Sequence, residues 1–308
     1  MSARTVIVNH HYCVSDAENL YLARTAVEPA RFQKQIERLA NLRLEQGIEP
    51  LVTFDDGTRD IWRNAIPALV QHRIPSILFC CTLPLLQKRL LNVTKVHLLQ
   101  GKLGFPEFRS RFLMALRALD QPYELEDVKR LGLGQIFRYD TEDVREFKLL
   151  LNVKLPYTLV TALLDALFEP EFGRQDEAAK FIYMSTDEIL RARDAGIRIG
   201  LHTHSHFMLA RLSPVQQQEE IVTCREFFCD LLGDDTFDMS YPHGVPGTWN
   251  DTTKAIMARL GIPRAYTLGR EIYDPSIHCD AYEIPRYDVN DVFEKDGTLR
   301  PAAEFHSD

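Results

Sequence analysis

The stretch LVTFDDGTRDIWRNAIPALVQHRIPSILF, residues 51–79, reads in turn as strand, loop, helix and strand. Leu51 to Phe54 is a short apolar run that stops at Asp55-Asp56-Gly57. Ile61 to His72 has the spacing of an amphipathic helix, and Ile77 to Cys81 is apolar again. Two strands joined through a helix must lie parallel, because the helix carries the chain back to the start of the next strand. In parallel α/β folds the chemistry collects at the strands' C-terminal ends, where Asp55 and Asp56 fall.

The same rhythm extends outward. Val6 to Val8 opens the chain, and Arg31 to Leu44 places Phe32, Ile36, Leu39 and Leu42 at helical spacing. Ser185 with Glu188 predicts a capping box for a helix ending near Gly196, and Ile197 to Leu201 is a strand. Pro214 to Leu232 and Asn250 to Leu260 read as helices. Phe237 to Tyr241, Ala265 to Leu268 and Tyr282 to Ile284 read as strands. Strands alternating with helices imply a mostly parallel sheet, open or closed into a barrel. Residues 1–308 then form one domain, interrupted by residues 86–180, an almost wholly helical insertion containing FPEFRSRFLMALRAL and LPYTLVTALLDALF. Lys295 to Asp308 look loosely held.

Adjacent carboxylates at a strand end repel unless a cation or a proton sits between them. Asp55-Asp56-Gly57 is equally an ordinary turn, since Asp-Gly is common in turns. The second signal is His202-Thr203-His204-Ser205-His206, directly after a strand. One helical turn would put His202 and His206 on one face within reach of one ion, with His204 pointing elsewhere. An extended backbone would pair His202 with His204 instead. Two imidazoles and one carboxylate leave a coordination position open for water, the arrangement of catalytic sites.

These motifs resemble those of the polysaccharide deacetylase family, the NodB-homology enzymes of carbohydrate esterase family 4. TFDDG matches the family's first motif, and His202 to His206 match its H-[ST]-x-x-H motif. The resemblance implies a distorted (β/α) barrel of the NodB-homology type with the helical insertion added. It assigns Asp55 as general base and Asp56, His202 and His206 as ligands of a divalent metal, Zn²⁺ best, with Co²⁺, Ni²⁺ or Mn²⁺ also suitable. Ser240-Tyr241-Pro242-His243-Gly244 takes the place of the third motif, with Ser240 where Arg is usual and His243 where Tyr is usual. There the backbone N–H of His243 is placed to stabilise an oxyanion. Ile284-Pro285-Arg286 is similar to a later segment, in which Arg286 would hold Asp55 ionised by a bidentate contact. The family's C-terminal L-x-H motif is missing, and the tail EFHSD with His306 is a poor substitute. A permuted branch carries that histidine near the N-terminus, and Val8-Asn9-His10-His11-Tyr12 resembles it. Adjacent strand residues point opposite ways, so only one of the pair faces the site, and His11 is assigned as general acid ahead of His10.

Composition narrows the partners. A net charge of −8 speaks against an extended nucleic-acid footprint. No apolar stretch approaches the roughly 20 residues that a membrane helix needs, and Val6 to Val8 is too short for a signal-peptide core, so the expected location is the cytoplasm. The six cysteines show no zinc-knuckle or disulfide spacing. The expected activity is metal-assisted removal of an acetyl or formyl group from an amino sugar or glycan intermediate, in the branch associated with surface-glycan (lipopolysaccharide-type) biosynthesis. Alternatives are a metallo-esterase or non-sugar amide deacylase on the same barrel, and an inactive glycan-binding homologue.

Overall fold

The computed structural model describes residues 4–15, 26–119, 137 and 140–300. Strand β1 (Thr5–His10) pairs in parallel with β4 (Glu49–Phe54), in register from Thr5 opposite Glu49 to His10 opposite Phe54. Next come β5 (Ser76–Cys80), β6 (Arg198–Leu201), β7 (Met239–Ser240) and β8 (Ala265–Tyr266), each parallel to its neighbour, while β9 (Tyr287–Asp288) lies on the far side of β1. The resulting order, β8-β7-β6-β5-β4-β1-β9, is one seven-stranded parallel sheet. β5 is buried along its whole length, as strands are when helices cover both faces. A two-stranded pair, β2 (Tyr12–Cys13) with β3 (Ala26–Val27), stands apart from it.

The sheet curls, and one segment spans its two edges. Ile284 bridges Tyr266 beside β8, its N–H donating to Ala265 O at 3.0 Å. Three residues later Tyr287 pairs with Val8 of β1. The last strand therefore sits beyond Tyr282 to Ile284, where the sequence had placed it. Pro285 has no N–H to continue a ladder there, and pairing resumes at Tyr287.

Helix α1 (Pro29–Gln46) lays Phe32, Ile36, Leu39 and Leu42 against the sheet and ends on Gly47 in the left-handed conformation. The helix expected over Ile61 to His72 is divided into a π-helical turn, Ile61–Ala65, and an α-helix, Ile66–His72. The capping box of Ser185 forms as read, and helix Pro214–Leu232 has the expected limits. Lys295 to Arg300 are tied down, contrary to expectation: Phe293 bridges Leu299, and Arg300 N–H donates to Val292 O at 2.9 Å. Residues 301–308, with His306, lie outside the described residues.

Between β5 and β6 the described regular elements are all helical. They have an apolar core of their own, in which Phe147 meets Phe105, Phe108 and Phe112 edge to face at 5.3–5.8 Å. A second cluster, including Tyr12, Leu90, Leu98, Phe168 and Tyr183, fastens this layer to the barrel. No helix among the described residues is long and apolar enough to cross a membrane.

His10, at the end of β1, is wedged between Phe32 and Phe54, and neither ring nitrogen has a partner. Burial, aided by the nearby His11 and Arg31, lowers its pKa to about 3. The unfolded chain, with an ordinary histidine pKa of 6.5, binds that proton more readily. The folded state is therefore favoured above pH 6.5 and loses this advantage as pH falls from 6.5 toward 3. Urea unfolding at pH 7.5 and 4.5 should show a smaller acid-induced loss of stability for His10→Phe than for the wild type. An equal loss in both proteins would refute this account.

Candidate metal centre and active site

Asp55 and Asp56 leave the end of β4, where Asp56 and Gly57 both take left-handed backbone, φ 72° and 76°. Only glycine suits position 57, because a Cβ there would also lie 3.0 Å from the Cys80 Sγ. This sharp reversal separates the two carboxylates into different environments.

Asp55 is held by four hydrogen bonds from three side chains. Arg286 Nη1 and Nη2 donate to its two oxygens at 2.9 Å each, Ser240 Oγ donates to Oδ1 at 2.9 Å, and Asn9 Nδ2 donates to Oδ2 at 3.0 Å. Burial alone would raise the pKa of this carboxyl, but the guanidinium, His202 and His11 together hold it well below the usual carboxylate range. Arg286 is itself fully buried. It also donates to Asn9 Oδ1, Thr53 Oγ1 and Thr267 O, and it lies over the Phe79 ring. The bidentate contact expected from the sequence is present. Asn9 and Thr53, opposite each other in the β1–β4 register, were not singled out as part of it. Their signal is a polar residue directly after the apolar run of each strand, at positions that are buried.

Asp56 is also buried, yet neither of its oxygens has a hydrogen-bond partner. Burial raises its pKa, with His202 and His11 pulling the other way. Its Oδ1 lies 3.7 Å from His202 Nε2 and 3.4 Å from His206 Nε2. The His202 Nε2 is buried and unpartnered as well. Orphaned Asp56 and His202 atoms facing one another, with His206 beside them, would be costly if nothing lay between them. A tetrahedral zinc ion with bonds of about 2.0–2.1 Å has ligand–ligand edges of about 3.3–3.4 Å. The two Asp56 edges, 3.7 and 3.4 Å, come near that spacing, and the trio's ligand atoms all lie within 4.8 Å of one another. Burial lowers both histidines to a pKa of about 4, keeping them neutral as ligands must be.

The histidine loop is not a helical turn. Thr203 and His206 both have positive φ, 65° and 61°, and the backbone folds back on itself between them. Such conformations cost about 1–3 kcal/mol each for residues other than glycine, and local bonds hold them. His206 N–H donates to Thr203 Oγ1 at 3.1 Å, while Ser205 N–H donates to Glu220 Oε2 at 2.7 Å and His204 N–H to Glu220 O at 3.0 Å. His204 faces away from the trio, its ring against Thr82 and Gln87. It anchors the loop.

Ser240 links the two carboxylate systems. The His202 Nδ1 lies 2.9 Å from the Ser240 carbonyl and 2.6 Å from its hydroxyl oxygen. The carbonyl can only accept, so Nδ1 carries the proton and Nε2 presents its lone pair toward Asp56. The hydroxyl is then free to donate to Asp55.

His11 is half-buried, faces the opposite way from His10, and acts electrostatically on Asp55, Asp56 and His206. The His243 ring is 5.0 Å from that of His206, and its Nε2 is buried without a partner. The His243 backbone takes φ 65°.

A curled parallel sheet with carboxylates and imidazoles grouped at its strand ends defines an α/β half-barrel with a metal-type site. The polysaccharide deacetylase family profile matches residues 173–265, which include the His202–His206 loop and the Ser240–Gly244 loop. The match begins beyond TFDDG, which the helical layer separates from the rest of the pattern. Two solved structures are similar over nearly the whole chain. The deacetylase PplD of Streptococcus pyogenes, in complex with acetate, is 14% identical with a TM-score of 0.53, covering 94% of this chain and 93% of that one. IcaB from Ammonifex degensii is 16% identical with a TM-score of 0.51 and the same coverage, 94% and 93%. Both likenesses are of fold. No curated protein matches by sequence. The profile match over residues 173–265 and the two likenesses of fold agree with the resemblance read from the motifs.

Removing the Ser240 hydroxyl leaves the bond of His202 to the Ser240 carbonyl but takes away its second contact, and it takes one bond from Asp55. Ser240→Ala should weaken zinc affinity roughly 10–100-fold, the usual effect of losing a group that orients a ligand, and Ser240→Thr should restore most of it. Competition with a chelating dye gives the measurement, and an unchanged affinity in Ser240→Ala would contradict the assigned role.

Proposed function

We propose that this chain is a metal-dependent hydrolase that removes an acyl group, acetyl or formyl, from the amino sugar of a glycan made for the cell surface. The observation that carries the reading is the contrast between neighbouring carboxylates: Asp55 fully bonded beside Arg286, Asp56 unpartnered against two imidazoles. The family match and the PplD and IcaB folds support the choice of an acyl-glycan substrate.

Asp56, His202 and His206 would hold the metal. When bound, it supplies a Lewis acid that polarises the acyl carbonyl and makes an attacking water more acidic. Zn²⁺ suits this donor set best, and Co²⁺, Ni²⁺ or Mn²⁺ are compatible with it.

The remaining work falls to the protein. Asp55 accepts the proton of the attacking water. Arg286 and Asn9 keep that carboxylate ionised and fixed in direction, which also makes it a weak base, so it needs an acidified water as its partner. His11 delivers a proton to the departing sugar nitrogen, which leaves as an amine. The His243 N–H stabilises charge on the acyl oxygen.

Asp55→Asn should lower turnover on N-acetylated amino-sugar oligomers by at least about 100-fold while still binding zinc. His202→Ala should lose both. Circular dichroism checks that each variant is folded, and assay of O-acetylated sugars in parallel separates an amidase from an esterase. Full activity in folded Asp55→Asn would end the proposal.

A further inference from the structure

Helix Asn92–Leu103 of the helical layer carries a histidine, His97, to the residue that follows His11. The His97 Nδ1 lies 3.3 Å from the hydroxyl of Tyr12, and the two rings meet edge to face at 5.9 Å. His97 is near enough to both His11 and His206 to feel their charge. It also shares the lining of a small cavity with His243, whose ring is 5.0 Å from that of His206. Lys148 and Asn152 add further polar atoms to that lining. The helical layer thus brings an imidazole within electrostatic reach of the metal-type trio, and no step of the proposed reaction uses it.

The hydrogen bonds around Tyr12 decide which nitrogen of His97 bears its proton. A backbone amide can only donate, and Leu91 N–H donates to the Tyr183 hydroxyl oxygen at 3.2 Å. The Tyr183 proton then goes to Thr94 Oγ1, 2.6 Å away. The Thr94 hydroxyl in turn favours negative charge on the Tyr12 oxygen, so its own proton points there. That leaves the Tyr12 hydroxyl to donate to His97 Nδ1. Tyr183, Thr94 and Tyr12 are all buried, which shields this order from solvent. Burial also keeps the His97 ring neutral, lowering its pKa well below the ordinary 6.5. A neutral imidazole that accepts at Nδ1 carries its proton on Nε2. Among the described residues nothing bonds that Nε2. A fixed neutral donor without an acceptor suits an oxygen lone pair, such as that of a sugar hydroxyl, and has nothing to offer an ammonium group.

We propose that His97 is a substrate-binding residue supplied by the helical layer: its Nε2–H donates to a hydroxyl oxygen of the amino sugar, and Tyr12, Thr94 and Tyr183 position it. The inference rests on the glycan-hydrolase reading above, but its first test needs neither sugar nor turnover. Nitrogen NMR of histidine-labelled protein at pH 7.5, with His97→Asn identifying the signals, should show a bare Nδ1 and a protonated Nε2. The opposite tautomer would overturn the proposal. The second test is calorimetric binding of an N-acetylglucosamine trisaccharide to zinc-loaded Asp55→Asn protein, which leaves the sugar intact. Adding His97→Asn keeps an acceptor for Tyr12 but removes the donor at Nε2. It should weaken sugar binding roughly 3–10-fold, the worth of one hydrogen bond, and leave zinc affinity unchanged. His97→Gln, whose amide nitrogen reaches the place of Nε2, should restore most of the affinity. Tyr12→Phe, which frees the ring, is a second disabling variant should His97→Asn fail to fold. Monodeoxy trisaccharides locate the partner oxygen, because the one that lacks it should bind with and without His97→Asn alike. A penalty that persists through the whole monodeoxy series would overturn the proposal. So would affinity indifferent to both disabling variants, or no measurable binding. Binding that depends on His97 in a protein that hydrolyses no N-acyl sugar would refute the proposed function and support the role of His97. Turnover with affinity indifferent to His97 would do the reverse.

Discussion

The buried pairing of Asp55 with Arg286 is the interaction on which the rest of the site depends. Both side chains are out of solvent, and each is satisfied by the other and by neutral groups on β1, β4 and β7 and beside β8. Removing one member of such a pair costs about 3–5 kcal/mol, because the remaining charge is left buried and unpaired. That is a large share of the stability of an ordinary domain. The pair is thus a structural tie and a chemical device together. It keeps a carboxylate ionised next to an apolar core, and it aims that carboxylate with two parallel bonds.

The second constraint is backbone strain. Of the residues other than glycine with positive φ, Asp56 and His206 belong to the trio, and Thr203 and His243 adjoin it. Regular strands could not bring three side chains from two loops to within 4.8 Å of one another; sharp reversals do so at an energetic cost. Glu220 and Thr203 hold the histidine loop, and contact with Cys80 restricts position 57 to glycine. The ligand atoms are consequently held in place by bonds of the protein itself, which is the condition for selective and tight coordination.

Much of this was legible in the sequence because it is written in short, local patterns. Apolar runs separated by amphipathic segments give the parallel sheet, and Ser185 with Glu188 gives a helix start, since capping involves residues three apart. TFDDG and the histidine cluster announce themselves for the same reason. The position of Arg286 came only through resemblance, because 231 residues separate it from its partner. The bonds of Ser240 to Asp55 and His202 depend on tertiary placement, and so do the partners supplied by Asn9 and Thr53. The histidine loop was misread as a possible helical turn because i, i+4 spacing is shared by a helix and by a loop with two left-handed residues. The strand Tyr287–Asp288 was set too early, on a run of apolar residues that only touches β8.

The segment from Ile284 to Asp288 has a further meaning. It joins the two edges of the sheet, and it also carries Arg286 into the site. A chain in which it has not yet docked has an open sheet edge and a catalytic carboxylate without its counter-charge. Such a chain has most of its secondary structure but none of the electrostatics for chemistry. Joining the sheet edges and completing the electrostatics of the site are therefore one event, so that under the proposed function hydrolysis would itself report native assembly.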